Sequence, residues 1–94
     1  MLWNVDTTNT AYKQLKWYER KDKPKYKLFQ KAIRELEVSD NPTSLGKFEN
    51  LTFVRAWSYR VTGSLRLLYV VDEESNTILI LAAGTHTEVY RRKF

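Results

Sequence analysis

Cysteine is absent from this chain, and histidine and methionine occur once each, proline twice and glycine three times. Each scarcity closes off a class of chemistry. Without thiols there is no disulfide, no thiolate metal site and no cysteine nucleophile, which suits a reducing compartment. A single histidine rules out a multi-histidine metal centre and leaves a Ser-His-Asp triad only one possible centre. The glycines, at 46, 63 and 84, are isolated, so no glycine-rich phosphate loop exists. The longest apolar run, Ile78 to Ala83, has strand length and falls far short of the roughly 20 residues that span a bilayer. The first residues lack the basic and then apolar segments of a signal peptide. These absences predict a soluble, cytoplasmic protein with no membrane contact, no metal and no cofactor.

What is present fits one small domain spanning residues 1–94. Apolar residues make up 43% and aromatics 14%, sufficient for a compact core. The net charge is +5, distributed unevenly. Residues 1–47 carry ten cations against six anions, and residues 48–94 carry six against five. Eight of the nine lysines lie in the first half and five of the seven arginines in the second. Lysines on helices usually form a solvated face. Arginines in strands suit planar contact with phosphate or carboxylate, so the balance favours a polyanionic partner.

Leu2 to Asp6 alternates as a short strand. Capping residues Asp6 to Asn9 predict a helix from Asn9 or Thr10, with Ala11, Leu15 and Tyr18 inward. Asp22-Lys23-Pro24 breaks it, and a second helix is expected from Pro24 to Leu36 with Phe29, Ala32, Ile33 and Leu36 as its core face. Residues 38–46 read as a loop. Three strands follow, over Leu51–Val61, Leu65–Val71 and Ile78–Ala83, with turns at Thr62-Gly63-Ser64 and Asp72 to Asn76. Phe53, Trp57 and Val61 share one parity of the first of these; Val54, Ala56, Ser58 and Arg60 share the other. Trp57 reads as core, and Thr85 to Tyr90 as a bent strand end or turn. The expected fold class is α+β, ordered β-α-α-β-β-β. It is an antiparallel-dominated four-stranded sheet with a two-helix hairpin on one face and arginines and aromatics on the other.

A site built from Arg, Lys, His and Tyr can cleave RNA without a metal ion. The 2′-hydroxyl attacks the adjacent phosphate, cations stabilise the phosphorane, and an acid protonates the 5′-oxygen. His86 and Tyr90 are the candidates for proton transfer, and Arg60 and Arg66 for charge stabilisation. Each also has a plainer reading. His86 is then an exposed residue, Tyr90 packs its ring on the sheet with its hydroxyl in water, and Arg66 is an ion-paired strand residue with Glu88 as its partner.

The stretch Trp57-Ser58-Tyr59-Arg60-Val61-Thr62, followed by Arg66-Leu67-Leu68-Tyr69, resembles the RelE/ParE superfamily of bacterial toxins, most closely its YoeB-like members. Asn41-Pro42 and Asn50-Leu51 match the loop after the second helix, and Ala82 to Tyr90 resembles the RelE ending. The resemblance implies the toxin of a type II toxin–antitoxin pair, an endoribonuclease that cuts mRNA in the ribosomal A site and is neutralised by a cognate antitoxin. It places Arg66 at the scissile phosphate, Arg60 beside it, Tyr90 at the terminal tyrosine and His86 about one position from the YoeB-type histidine. Lys47, Arg55, Arg91 and Arg92, with Lys13 and Lys16 of the first helix, are the expected RNA contacts. Two departures stand out. Ser44 occupies the position matching the YoeB catalytic glutamate, with Glu49 a few residues later as the candidate in its place. The RelE lysine pair is also missing. The alternatives are a ParE-like inhibitor of DNA gyrase, and a weakly active or orphan toxin-fold domain acting through antitoxin binding.

Overall fold

A computed structural model describes residues 2–51 and 54–91. Its elements are β1 (Asn4–Thr7), α1 (Asn9–Lys21), α2 (Lys23–Val38), a short 3-10 helix (Pro42–Leu45), β2 (Lys47–Asn50), β3 (Arg55–Arg60), β4 (Leu65–Asp72), β5 (Thr77–Thr85) and α3 (His86–Arg91). The strands form one sheet in the order β1-β5-β4-β3-β2. β1 runs parallel to β5, pairing Val5 with Ile78, and the other neighbours are antiparallel.

The helices begin where the sequence caps them. Thr8 accepts the Ala11 N–H through its side chain, and Asp22 accepts the Lys25 N–H. Asp22 also sends its own N–H to the Tyr18 carbonyl, so one residue ends α1 and starts α2. Ala11, Gln14 and Tyr18 of α1 and Phe29, Ala32 and Leu36 of α2 are buried, and Leu15 and Ile33 are half-buried. They cover the sheet face formed by Leu65, Leu67, Tyr69, Ile78, Ile80 and Ala83. A second, smaller core joins Ala56, Leu68, Leu81, Ala82 and Val89 of α3.

β1 ends opposite Ile80, which would leave the rest of that β5 edge bare. Thr8, the cap of α1, and Gln14 within it take over. Thr8 Oγ1 donates to the Leu81 carbonyl at 2.9 Å, and Gln14 Oε1 accepts the Ala83 N–H at 2.7 Å. This explains why a glutamine, unforeseen in the core, is buried on α1.

Three expectations need correction. The sheet has five strands, because Lys47–Asn50 pairs antiparallel with β3. The single strand expected from Leu51 to Val61 is β3 alone within Arg55–Arg60, and Phe53 lies outside the described residues. Residues 86–91 form a helix instead of a bent strand. Its start is a reciprocal cap: Thr85 Oγ1 accepts the Glu88 N–H at 3.2 Å, and Glu88 Oε1 accepts the Thr85 N–H at 2.9 Å. Gly84 makes the turn possible. Its φ is +154°, and Glu88 Cβ lies 3.1 Å from where a side chain would begin. Among the described residues, no helix is long and apolar enough to cross a membrane.

Candidate active site

Parity along the strands decides what faces away from the helices. On β3, Trp57 and Tyr59 pack toward the helical layer, so Ser58 and Arg60 point to the other side. On β4, Leu65 and Leu67 face the helices and Arg66 does not. A register shift at Leu68/Tyr69 places Leu81 and Ala82 of β5 in the same outer core, so Gly84 comes opposite Arg66. Backbone without a side chain thus adjoins the arginine. α3 then crosses this outer face with Val89 buried in it.

The result is a cleft of about 340 Å³ between β2, β3, β4 and α3. Lys47 and Glu49 of β2 form one wall, Arg60 and Arg66 the floor beside Ser58, and His86 and Tyr90 of α3 the opposite wall. His86 and Tyr90 are one helical turn apart, and their rings lie 4.5 Å apart at 46°. The six residues singled out from widely separated stretches of the sequence therefore share one cavity.

Glu49 is the hub of its hydrogen bonding. Its Oε1 accepts from the Tyr90 hydroxyl at 3.0 Å and from Ser58 Oγ at 3.2 Å. Ser58 is 8% exposed and lies opposite Lys47 in the β2–β3 register, adjoining Glu49 on the same face. Among the described hydrogen bonds, none uses Glu49 Oε2. The Tyr90 phenol is held above its ordinary range, first by burial and then by its bond to the Glu49 carboxylate. Ser58 and the positive charge of Arg66 act in the opposite direction.

Arg66 is fixed by its own hairpin. Nη1 donates to the carbonyls of Thr62 at 2.7 Å, Leu65 at 3.0 Å and Gly63 at 3.2 Å. Among the described ion pairs none joins Arg66 to Glu88, whose Oε1 accepts instead from the Tyr18 hydroxyl of α1. The guanidinium fork has five N–H donors, so its Nε and Nη2 remain outside those three bonds. A planar cation anchored through one nitrogen is suited to receiving a phosphate with the others.

The remaining expected RNA contacts lie elsewhere. Arg55 shares the parity of Trp57, on the helix-side face, with its guanidinium 5.4 Å from the Phe48 ring. Lys13 and Lys16 are exposed on α1, and Lys16 pairs with Glu19 at 3.1 Å. Arg91 ends α3, and Arg92 lies outside the described residues. Trp57 packs against the core, edge-on to Phe48 at 5.6 Å, in keeping with its reading as core. Ser44, the positional match for the catalytic glutamate, lies in the 3-10 helix with its hydroxyl donated to the Asn41 carbonyl. Ser58 is the site residue that the sequence reading did not single out, although it shares parity with Arg60 and lies within the Trp-Ser-x-Arg motif.

No protein-family model matches this sequence, and neither does any curated protein. Solved structures do. The YoeB dimer from Staphylococcus aureus is 24% identical over 92% of this chain and 99% of that one, with a TM-score of 0.70. The YoeB/ParE toxin from Agrobacterium tumefaciens is 22% identical over 88% and 98% of the two chains, with a TM-score of 0.71. A chain of the RelBE2 toxin–antitoxin complex from Mycobacterium tuberculosis is 27% identical over 92% and 100%, with a TM-score of 0.62. The fold of this chain is that of the RelE/ParE toxin superfamily.

Proposed function

We propose that this chain, built on the RelE/ParE toxin fold, is the toxin of a type II toxin–antitoxin pair and cuts mRNA in the ribosomal A site. The single observation that carries the reading is the Glu49 carboxylate. Two hydroxyls hold it through Oε1, in a cleft that also contains Arg60, Arg66 and His86. This is the set of groups that RNA cleavage by its own 2′-hydroxyl demands.

In this scheme Glu49 takes the 2′-hydroxyl proton as the oxygen attacks the adjacent phosphorus. Arg66, with Arg60 and Lys47, neutralises the charge that builds on the phosphorane oxygens. The bond from phosphorus to the 5′-oxygen then breaks, and His86 supplies the proton that the leaving oxygen takes. The products are a 2′,3′-cyclic phosphate and a 5′-hydroxyl. Tyr90, kept protonated by burial and by Glu49, donates the hydrogen bond that orients the base. The side chains supply the cationic charge, so the route needs no metal ion. A cognate antitoxin is the expected protein partner; two of the structural neighbours are a YoeB-YefM complex from Staphylococcus aureus and the RelBE2 complex. The exposed lysines of α1 and α2 are the surface that would meet ribosomal RNA.

The test is a purified translation reaction with defined mRNA. Cleavage in codon register is expected, lowered by about 10²–10⁴-fold in Glu49→Gln, as for loss of a general base, and abolished in Arg66→Ala. Intact mRNA together with gyrase-dependent DNA double-strand breaks would reject the nuclease in favour of a ParE-like inhibitor.

A further inference from the structure

Resting on the RNA-cleavage reading, we propose that the hydrogen bond between Tyr18 and Glu88 sets the roll of α3 and thereby positions His86 and Tyr90 in the cleft. Neither Tyr18 nor Glu88 lines that cavity, so both are positioning residues.

The argument comes from how a six-residue helix is held. Successive residues are about 100° apart around a helix, so Glu88 and Tyr90 stand on opposite flanks of Val89. Val89 is fully buried and fixes the depth of α3 on the sheet. Burial of one residue leaves rotation about the helix axis free. The two flanks restrict it. On one side the Tyr90 hydroxyl reaches Glu49 of β2 at 3.0 Å. On the other the Tyr18 hydroxyl reaches Glu88 Oε1 of α3 at 2.9 Å.

Tyr18 is a firm anchor. Its side chain is 4% exposed, with its ring 5.0 Å from Phe29 of α2 and 5.1 Å from Trp17. The same carboxylate oxygen of Glu88 also closes the cap on Thr85, so the anchor acts on the first turn of α3, where His86 lies. Gly84 lets Glu88 lie close against β5 on this path, since a side chain there would occupy the carboxylate's place. Without the Tyr18 bond, α3 would retain Val89, the Tyr90 contact and the bond from the His86 N–H to the Ser64 carbonyl at 3.2 Å, but lose the restraint that ties its Glu88 flank to α1. His86 and Tyr90, on one face of the helix, would then swing together.

The test uses the full chain and two readouts. One is the NMR shift of the His86 ring protons, which the Tyr90 ring 4.5 Å away perturbs. The other is steady-state RNA cleavage. Tyr18→Phe, which removes one oxygen and keeps the ring, and Glu88→Ala should each move the His86 resonances. Each should lower kcat by about 10- to 100-fold, as misplacement of a catalytic group does, with KM little changed. The double variant should be no worse than Glu88→Ala alone, which already removes both the Tyr18 bond and the cap on Thr85, and Glu88→Gln, which keeps an acceptor oxygen, should restore both readouts. Trp3→Phe, which removes the bond from Trp3 Nε1 to the Ser39 carbonyl far from α3, is the stability control and should leave both readouts unchanged. Unmoved His86 resonances in Tyr18→Phe and Glu88→Ala would overturn the proposal. Moved resonances with a wild-type chain that does not cut RNA would uphold the restraint on α3 and sink the cleavage reading alone.

Discussion

Replacing Gly46 with alanine tests whether β2 is a built wall of the cleft or a loosely attached edge. Gly46 has φ −118° and ψ 170°, an extended conformation open to any residue, so backbone strain is not the issue. Space is. An added Cβ would press on the Tyr69 hydroxyl and stand 3.0 Å from the Ser58 carbonyl oxygen and 3.1 Å from Trp57 Cβ. Tyr69 is fully buried, and its hydroxyl donates to the Pro42 carbonyl at 2.7 Å. Either the chain before β2 moves outward, or the hydroxyl leaves Pro42. Overpacking costs about 1–3 kcal/mol, and an orphaned buried polar group about 1–3 kcal/mol. A loss of about 1–3 kcal/mol is therefore expected, lowering Tm by roughly 4–24 °C for a domain this small. Urea unfolding followed by tryptophan fluorescence measures it. Tyr69→Phe removes the obstructing oxygen, so Gly46→Ala combined with Tyr69→Phe should be more stable than the sum of the single losses by about 1 kcal/mol or more, the coupling expected of residues in contact. Strict additivity, or a loss below about 0.5 kcal/mol for Gly46→Ala, the range of an ordinary surface change, would refute the reasoning.

Alkaline pH offers an independent check. Burial, followed by the bond and charge of Glu35, pushes the Tyr59 phenol up to about 12, from about 10 in the unfolded chain. Its contribution to stability is then complete below about pH 10 and is lost as pH rises toward 12. Unfolding titrations between pH 8 and 11.5 should show stability falling, with a shallower fall in Tyr59→Phe; an unchanged slope would show that another group is responsible. Binding of a non-cleavable RNA should weaken steeply with salt, and replacing both Arg60 and Lys47 with alanine should reduce the log–log slope by about 1.4 on the basis of about 0.7 per single-strand phosphate contact. An unchanged slope would place the RNA elsewhere.

Most of the helical layer could be read from the sequence because the signals are local. Asp22-Lys23-Pro24 marks the junction of two helices, and Phe29, Ala32 and Leu36 repeat at helical spacing. Gln14 could not be read this way. Its burial is set by the Ala83 amide 69 positions away, on a strand edge that β1 is too short to cover. β2 escaped notice because Lys47-Phe48-Glu49-Asn50 is a four-residue edge strand with a single apolar residue. The error at α3 was avoidable. Thr85-His86-Thr87-Glu88 is a capping-box pattern, but the apolar run into Gly84 favoured continuing the strand. The cleft itself was half legible. Arg60, Arg66, His86 and Tyr90 were named from their chemistry, whereas the place of Glu49 depended on the pairing of β2 with β3, which brings Glu49 beside Ser58.

The pairing of Val5 with Ile78 has a consequence for the order of assembly. β3, β4 and β5 are joined by short turns and can zip together from local contacts, and α1 and α2 can close through Asp22 alone. β1 has no partner until β5 exists, and the loop it closes contains both helices and the other three strands. Long-range closure of this kind slows folding more than it costs in stability. Contact order thus favours a sheet that grows toward its parallel edge and is sealed there last, when Thr8 and Gln14 settle onto β5. Until that moment the β5 edge is open to any other strand that reaches it. The step most exposed to misassembly is thus the docking of the helical layer, on the face of the sheet opposite the cleft.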